Sequence, residues 1–301
     1  MADRLRIQAP AKLNLFLHVN ARGSDGYHRI QTLFQPIGWY DRIMLTLQPD
    51  ASISVFMSAH GVVLPTLPEQ DNLVYRAAWL LQQHTGVGSG VRIHLEKHIP
   101  AGAGLGGGSS DAAATLLALN QLWQTGFSVE DLAILAAQLG ADVPVMLYHT
   151  SALAEGRGER IFPLRLPPLW FLVFMPHCHC DTRTVFQQPQ LTRDSQIMTM
   201  SLLKKRLEAS ITGLSDLRND CQAVVRSLHA EIDKLFAVTE VLTTESFSKP
   251  RLTGTGAAVF MMFTSRQQAE KVQHDFLARY PDHGLQSLKL VPVHTGSVHV
   301  T

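Results

Sequence analysis

Cysteine is scarce. The 301-residue chain has three, Cys178, Cys180 and Cys221, too few for a disulfide framework, so the expected setting is a reducing cytoplasm. An excess of charge is missing too, since 26 Lys and Arg stand against 25 Asp and Glu for a formal net charge of +1. The basic residues are scattered rather than clustered, which argues against nucleic acid as a partner. No apolar run approaches the length of a membrane span, and Met1–Arg6 lacks an apolar signal region, so neither a membrane nor export is expected. Internal repeats and low-complexity tracts are absent as well. What is plentiful is hydrophobic material, 46% of all residues. That is enough for a well-packed interior, and the length favours two domains.

Glycine is concentrated in one place. Pro100-Ala101-Gly102-Ala103-Gly104-Leu105-Gly106-Gly107-Gly108-Ser109-Ser110 packs five glycines into seven residues and runs on into Asp111 and an alanine-rich stretch. The alternation in Val91–Glu96 predicts a strand before it, and a helix is expected over Asp111–Trp123. Glycine admits positive φ and close approach by an anion, and a helix start offers unsatisfied N–H groups with partial positive charge. Together they predict a phosphate cradle. No Gly-Lys-Ser/Thr closes the loop, so it is not a P-loop, and it fits the dinucleotide fingerprint only loosely. A ligand-free turn would not need so many glycines, each of which costs backbone entropy.

Further residues could carry chemistry. Lys12 and Asn14 project from one face of a strand spanning Lys12–Val19, with Leu13, Leu15, Leu17 and Val19 on the core side. Their face, which also carries Phe16 and His18, either meets a ligand or is solvated. Asp142, in Gly140-Ala141-Asp142-Val143-Pro144, lies past a helix end in apolar surroundings, with Gly140 as that helix's C′ residue. It either pairs with a base such as Lys12 or orients a substrate hydroxyl. The turn ending in Tyr27-His28 offers a stacking ring beside an imidazole, or is a hairpin with two exposed side chains. His177-Cys178-His179-Cys180 holds zinc-ligand types. On an extended chain, however, only two of the four reach one ion, and no second cluster has ligand spacing, so the tract reads as composition.

Asp71-Asn72 starts a helix that Gly86 ends, and Ser128 with Asp131 forms a capping box for another. Further strands are expected near Arg42–Leu47, at Trp170, over Ala257–Phe263 and near Leu288–Val291. Helices are expected around Ile197–Ala209, Leu217–Leu228, Glu231–Val241 and Arg266–Arg279. The Gly- and Pro-rich stretch at 155–168 predicts a boundary between domains 1–160 and 161–301.

Taken in order, Pro10-Ala11-Lys12-Leu13-Asn14-Leu15, the Pro100–Ala114 loop and Leu252-Thr253-Gly254-Thr255-Gly256-Ala257 resemble the three motifs of the GHMP kinases. The match runs from about residue 7 to 295. Asp25-Gly26-Tyr27-His28, Gly140–Val145 and Asn219-Asp220-Cys221 resemble the branch whose acceptor is a cytidine-diphosphate ester of methylerythritol, in non-mevalonate isoprenoid synthesis. The resemblance implies an α+β (α/β two-layer) fold, with an N-terminal ribosomal-S5-like domain and a C-terminal ferredoxin-like domain. It implies ATP with Mg²⁺, held by the loop from Pro100 to Ser110 with Lys97 beside the nucleotide. Asp142 and Lys12 match the catalytic pair. The cytosine is expected between Tyr27 and Phe186, with His28 on its edge and Asn14 on the erythritol end, while Gly254 and Thr255 close the site. A monomer or homodimer is expected, and the metal ligands stay open. Gln222 stands where the family often has Glu.

Overall fold

In the computed structural model, which describes residues 3–242, 246 and 248–294, a seven-stranded sheet occupies the first half of the chain. Its elements run β1 (Arg4–Arg22), β2 (His28–Gln48), β3 (Ile53–Ala59), β4 (Val62–Val63), α1 (Leu73–Thr85), β5 (Gly90–Lys97), α2 (Gly107–Leu122), α3 (Val129–Ala136), α4 (Val143–Met146), β6 (Ala152–Gly156) and β7 (Arg160–Pro163). The order is β4-β3-β5-β2-β6-β7, with β1 paired along β2, and the β3–β5 pairing alone is parallel. Then follow β8 (Trp170–Pro176), α5 (Thr182–Gln187), α6 (Met200–Ala209), α7 (Gln222–Leu228), α8 (Ala230–Glu240), β9 (Arg251–Leu252), β10 (Val259–Phe263), α9 (Arg266–Arg279) and β11 (Leu285–Pro292). They build an antiparallel sheet ordered β11-β8-β10-β9. The ends of the two expected domains, residues 1–2 and 295–301, lie outside the described residues.

The apolar pattern accounts for the layers. Ile43, Leu45, Ile93 and Leu95 of the first sheet pack under α1–α4 through Ala77, Leu81, Ala113, Leu116 and Leu132. In β8, Phe171, Val173 and Met175 face the first sheet's Leu13, Leu15 and Leu33, while Leu172 and Phe174 face α7–α9 through Val225, Phe236 and Phe276. β10 divides in the same way, with Phe260 and Met262 on one side and Val259, Met261 and Phe263 on the other. A strand buried on both faces loses the polar alternation of a half-exposed one, hence the continuous Trp170–Met175 run. The core between the sheets therefore joins the two halves of the chain.

Several expectations shift. β1 is not half-solvated: Lys12 and Asn14 are each 3% exposed and Phe16 fully buried, because the second sheet covers the Leu13–Leu15 face while Gly106, Asp142, Thr253 and Gly254 close over Lys12 and Asn14. β2 is far longer than Arg42–Leu47, since β5 pairs with its C-terminal part and β6 with its N-terminal part. β3 has no counterpart among the expected strands. α2 begins at Gly107, four residues early. Its first turn packs on Ile99, whose Cγ2 would sit 3.1 Å from a Cβ on Gly107, so tertiary contact overrides glycine's poor helix propensity. α3 ends at Ala136, and Gly140 follows a further turn rather than forming its C′ residue. Val143 is helical, because Pro144 falls in the first turn of α4, where its missing N–H is no loss.

His149, between α4 and β6, is half-buried, with both ring nitrogens shielded from solvent and unpaired beside the His294 ring at 6.1 Å. Burial, aided by His294, pushes it down to about 4. The unfolded chain takes up this proton near pH 6.5 and the folded chain does not. Stability is therefore complete above pH 6.5 and falls as pH drops toward 4, by roughly 3 kcal/mol at most. Asn tolerates the positive φ of 48° found here. His149→Asn should flatten urea-denaturation midpoints across that window. An unchanged slope would exclude His149 as the source.

Candidate active site

The glycine loop is sewn into both sheets by its carbonyls. Lys12 N–H of β1 donates to Leu105 O at 2.9 Å and Ala258 N–H to Ala103 O at 3.1 Å, while Thr253 Oγ1 donates to Gly104 O at 3.2 Å. Gly104 and Gly106 have φ of 74° and 69°, and each also faces something fixed close by. A Cβ on Gly104 would overlap the Thr253 carbonyl oxygen, and one on Gly106 would sit 2.6 Å from Met146 Cε and 2.9 Å from Lys12 Cγ.

The loop delivers α2 with its N-terminus open. Asn72, Ser128, Thr199 and Ser265 cap α1, α3, α6 and α9. In α2, Gly106 holds the cap position, no side chain bonds the first turn, and no acid lies in it. The N–H groups of Gly107, Gly108 and Ser109 have no intrahelical acceptor. An anion is the partner such a terminus suits.

Beside the loop lies the Lys12 cluster. Lys12 Nζ donates to Asn14 Oδ1 at 2.6 Å and pairs with Asp142 Oδ2 at 3.4 Å, the acid being 38% exposed. Burial pulls the Lys12 ammonium below its ordinary value, and the Asp142 carboxylate opposes that. Asn14 is held on every side: its N–H donates to Thr253 Oγ1 at 3.0 Å and its Nδ2 to Thr32 Oγ1 at 2.8 Å. Thus β1, α4 and the 253–257 turn converge on one ammonium, and the alternatives for Asp142 merge: it faces Lys12 and solvent together. Asn219 Nδ2 fixes that turn by donating to Leu252 O at 2.8 Å and Gly254 O at 2.7 Å. Thr255 Oγ1 meets Thr182 Oγ1 at 2.8 Å. Gln222 Oε1 accepts from Leu252 N–H at 3.1 Å, a bond that uses the amide as a neutral acceptor.

Lys97 lies against the first turn of α2, with Nζ 3.4 Å from where a Cβ on Gly107 would stand. It is held by two buried carboxylates, donating to Asp111 Oδ2 at 2.6 Å and to Asp41 Oδ2. Asp41 also accepts the Ile99 N–H at 2.8 Å. Burial pushes Asp111 up to about 8 against the pull of Lys97. Asp41 is a site-building residue that sequence reasoning missed, since nothing at Tyr40-Asp41 marks it.

On the opposite side, Tyr27 is 60% exposed and its ring stacks on the Arg157 guanidinium at 4.2 Å. The His28 ring lies 5.0 Å from that of Phe186, tilted by 35°. Tyr27 and Phe186 make no ring contact with each other among the described residues. Arg193, also missed, donates from Nε to His28 Nε2 at 3.0 Å and from Nη2 to the Phe186 and Gln188 carbonyls at 3.0 and 2.7 Å. Burial, then Arg193 and Arg22, lower the His28 pKa. With Nε2 accepting, the proton sits on Nδ1, leaving that N–H as a donor. A cavity of about 470 Å³ bounded by Glu231, Leu235, Phe276 and Tyr280 shares no lining residue with any of these groups.

Comparison with known proteins gives the family and the fold. Residues 72–150 match the GHMP kinases N terminal domain. A protein of Burkholderia thailandensis named 4-diphosphocytidyl-2-C-methyl-D-erythritol kinase is 43% identical over 282 residues, 93% of this chain and 92% of its own. One of the same name from Nitrosococcus oceani is 46% identical over 262 residues, 87% and 86% of the two chains. The crystal structure of a 4-(cytidine 5'-diphospho)-2C-methyl-D-erythritol kinase superposes with a TM-score of 0.78 at 33% identity, over 97% of this chain and 100% of the other. Homoserine kinase from Cytophaga hutchinsonii has the same fold, with a TM-score of 0.74 at 18% identity over 100% and 98% of the chains.

Proposed function

The chain belongs to the 4-diphosphocytidyl-2-C-methyl-D-erythritol kinases of the GHMP superfamily, and from that premise we propose how its own residues carry the reaction. ATP phosphorylates the 2-hydroxyl of 4-diphosphocytidyl-2-C-methyl-D-erythritol, giving the 2-phosphate and ADP, a step of non-mevalonate isoprenoid synthesis. The single observation that carries the reading is the Lys12–Asp142 pair beside the uncapped start of α2.

The N–H groups of Gly107–Ser109 bind the ATP phosphates, and the loop from Pro100 to Gly106 shapes the approach. Asp142 orients the 2-hydroxyl, whose oxygen attacks the γ-phosphorus as the bond to the β-phosphate oxygen breaks. Asp142 takes the hydroxyl proton late, as the attacking oxygen bonds to phosphorus in a loose transition state. Lys12 screens the moving charge and is the counterion of Asp142. Mg²⁺ needs oxygen donors, and Ser110 Oγ and Asp111 Oδ1 are buried at the start of α2 without a protein partner. They would hold the ion, which when bound would supply positive charge against that of the phosphates. The cytosine stacks in the Tyr27–Phe186 region with His28 Nδ1–H at its edge. Residues 1–160 supply the ATP side and 161–301 the covering side, in a cytoplasmic monomer or homodimer.

ATP consumption measured with the cytidine-diphosphate substrate, with homoserine and with phosphomevalonate tests this, and turnover is expected with the first alone. Base–aromatic stacking is worth about 1–3 kcal/mol, so Tyr27→Ala and Phe186→Ala should each raise KM for the cytidyl substrate by roughly tenfold or more. KM for ATP should hold. Equal changes for both ligands would place the base elsewhere.

A further inference from the structure

We propose that Cys178, Cys180 and His229 form a binding site for a thiophilic divalent cation, zinc above all, apart from the phosphotransfer residues. The expectation that only two ligands of the His177–Cys180 tract reach one ion stands as far as the tract goes. The third comes from elsewhere in the chain. Both cysteines lie in the extended segment after β8, two residues apart and therefore on one side of it. His229, at the corner between α7 and α8, brings an imidazole nitrogen to them, and the three ligand atoms all lie within 4.8 Å of one another. Zinc at its usual distances from sulfur and nitrogen sets tetrahedral ligands roughly 3.5–3.8 Å apart, so closure asks for side-chain movements of about one ångström.

The donor set is soft. Two sulfurs and an imidazole suit zinc and not Mg²⁺ or Ca²⁺, which take oxygen. Two thiolates would neutralise a divalent cation, which suits a half-buried position. The His229 imidazole makes no hydrogen bond or ion pair among the described residues, so coordination would displace nothing from it. Burial holds Cys180 up to about 12 and raises Cys178, beside which the Glu231 carboxylate lies. Both are therefore thiols at neutral pH, and binding releases two protons to solvent. Glu231 stands where a carboxylate supports a ligand or a bound water in the fourth position.

The place of the site gives it a consequence. Between the two cysteines, the His179 ring packs on Gly102 of the glycine loop, and one residue on, Asp181 caps α5, which carries Phe186. A bound ion pins this loop to the α7–α8 corner.

The test is a titration of chelator-treated, reduced, full-length protein with Zn²⁺ against a chromophoric chelator, repeated with Co²⁺. One equivalent should bind, and the cobalt form should show thiolate-to-metal charge transfer in the near ultraviolet and tetrahedral bands in the visible. Cys178→Ser/Cys180→Ser should abolish the charge transfer. His229→Ala should weaken binding by at least the roughly 10–100-fold that follows loss of an outer partner. His177→Ala should bind as the parent does. Zinc should also slow amide exchange over residues 177–187 and leave 53–63 unchanged. Absence of charge transfer in the parent protein overturns the proposal, and that result needs no variant to fold. So does cobalt absorption that survives loss of both cysteines, or weak binding of several equivalents without it.

Discussion

Asp142→Asn is expected to lower kcat by about 10²–10⁴ while KM for ATP and for the cytidyl substrate stays within a few-fold. Asparagine keeps the shape and one hydrogen-bond acceptor, so a hydroxyl can still dock there. It loses the charge, and with it both the late acceptor for the hydroxyl proton and the counterion of Lys12. That second loss gives a further signature. Burial already pulls the Lys12 pKa down, with Asp142 opposing it, so without the carboxylate the ammonium titrates lower still. The residual activity of the Asn variant should then fall at a lower pH than that of the parent as Lys12 loses its proton. Lys12→Met and the Asp142→Asn/Lys12→Met pair should show similar kcat values rather than multiplied losses, because the two side chains act as a unit. The acid is 38% exposed, so the fold should tolerate its replacement, and an unchanged denaturation midpoint would check that. A kcat near that of the parent would remove Asp142 from the reaction.

What could be read along the chain was what adjacency encodes. Ser128 and Asp131 announced their own capping box, and Asn72 and Gly86 the two ends of α1, because caps are local hydrogen-bond chemistry. The glycine loop stands out because five glycines in seven residues have few uses besides an anion cradle. The pairing of Lys12 with Asp142 is one of two alternatives in the residues themselves and is implied by the family resemblance; the fold brings the two side chains to 3.4 Å. Features made by long-range contact were not visible. A solvated face stays open for Lys12 in the sequence, since nothing in its neighbours says that Gly106, Asp142 and Gly254 will close over it. The start of α2 lies earlier than the sequence suggests, because propensity ranks Gly107 and Gly108 as poor helix formers, while the first turn packs closely on Ile99 at Gly107. Arg193 reaches His28 across 165 residues, and His229 meets Cys178 across 51. Such partners have a meaning only in the folded molecule. Gln222 is a milder case: it stands where the family often has Glu, and the fold uses its amide oxygen to accept from the Leu252 N–H.

Gly104→Ala should weaken ATP binding by more than tenfold and lower stability by over 2 kcal/mol, whereas Gly106→Ala should act chiefly on kcat. Both positions are left-handed, so each alanine carries the same backbone penalty of about 1–2 kcal/mol. Their surroundings separate them. The new methyl at 104 would meet the Thr253 carbonyl oxygen and, at 2.9 Å, that of Gly256. These are main-chain atoms fixed by the Thr253 N–H bond to Ala258 O at 3.1 Å and the Gly256 N–H bond to Thr253 O at 2.9 Å. They cannot turn aside, so the loop must lift off the 253–257 turn, carrying the start of α2 with it. At 106 the obstacles are the Met146 methyl, the end of a flexible side chain, and the stem of the Lys12 side chain. They can shift, and the ammonium that moves is the one paired with Asp142. Gly26→Ala, at φ 79° with nothing within 4 Å, supplies the backbone penalty alone and is the control. Calorimetric ATP titration, urea unfolding and steady-state rates on the three variants separate the effects. If Gly104→Ala bound ATP as the Gly26 control does, the contact between the loop and the 253–257 turn would not be what holds the phosphate cradle in shape.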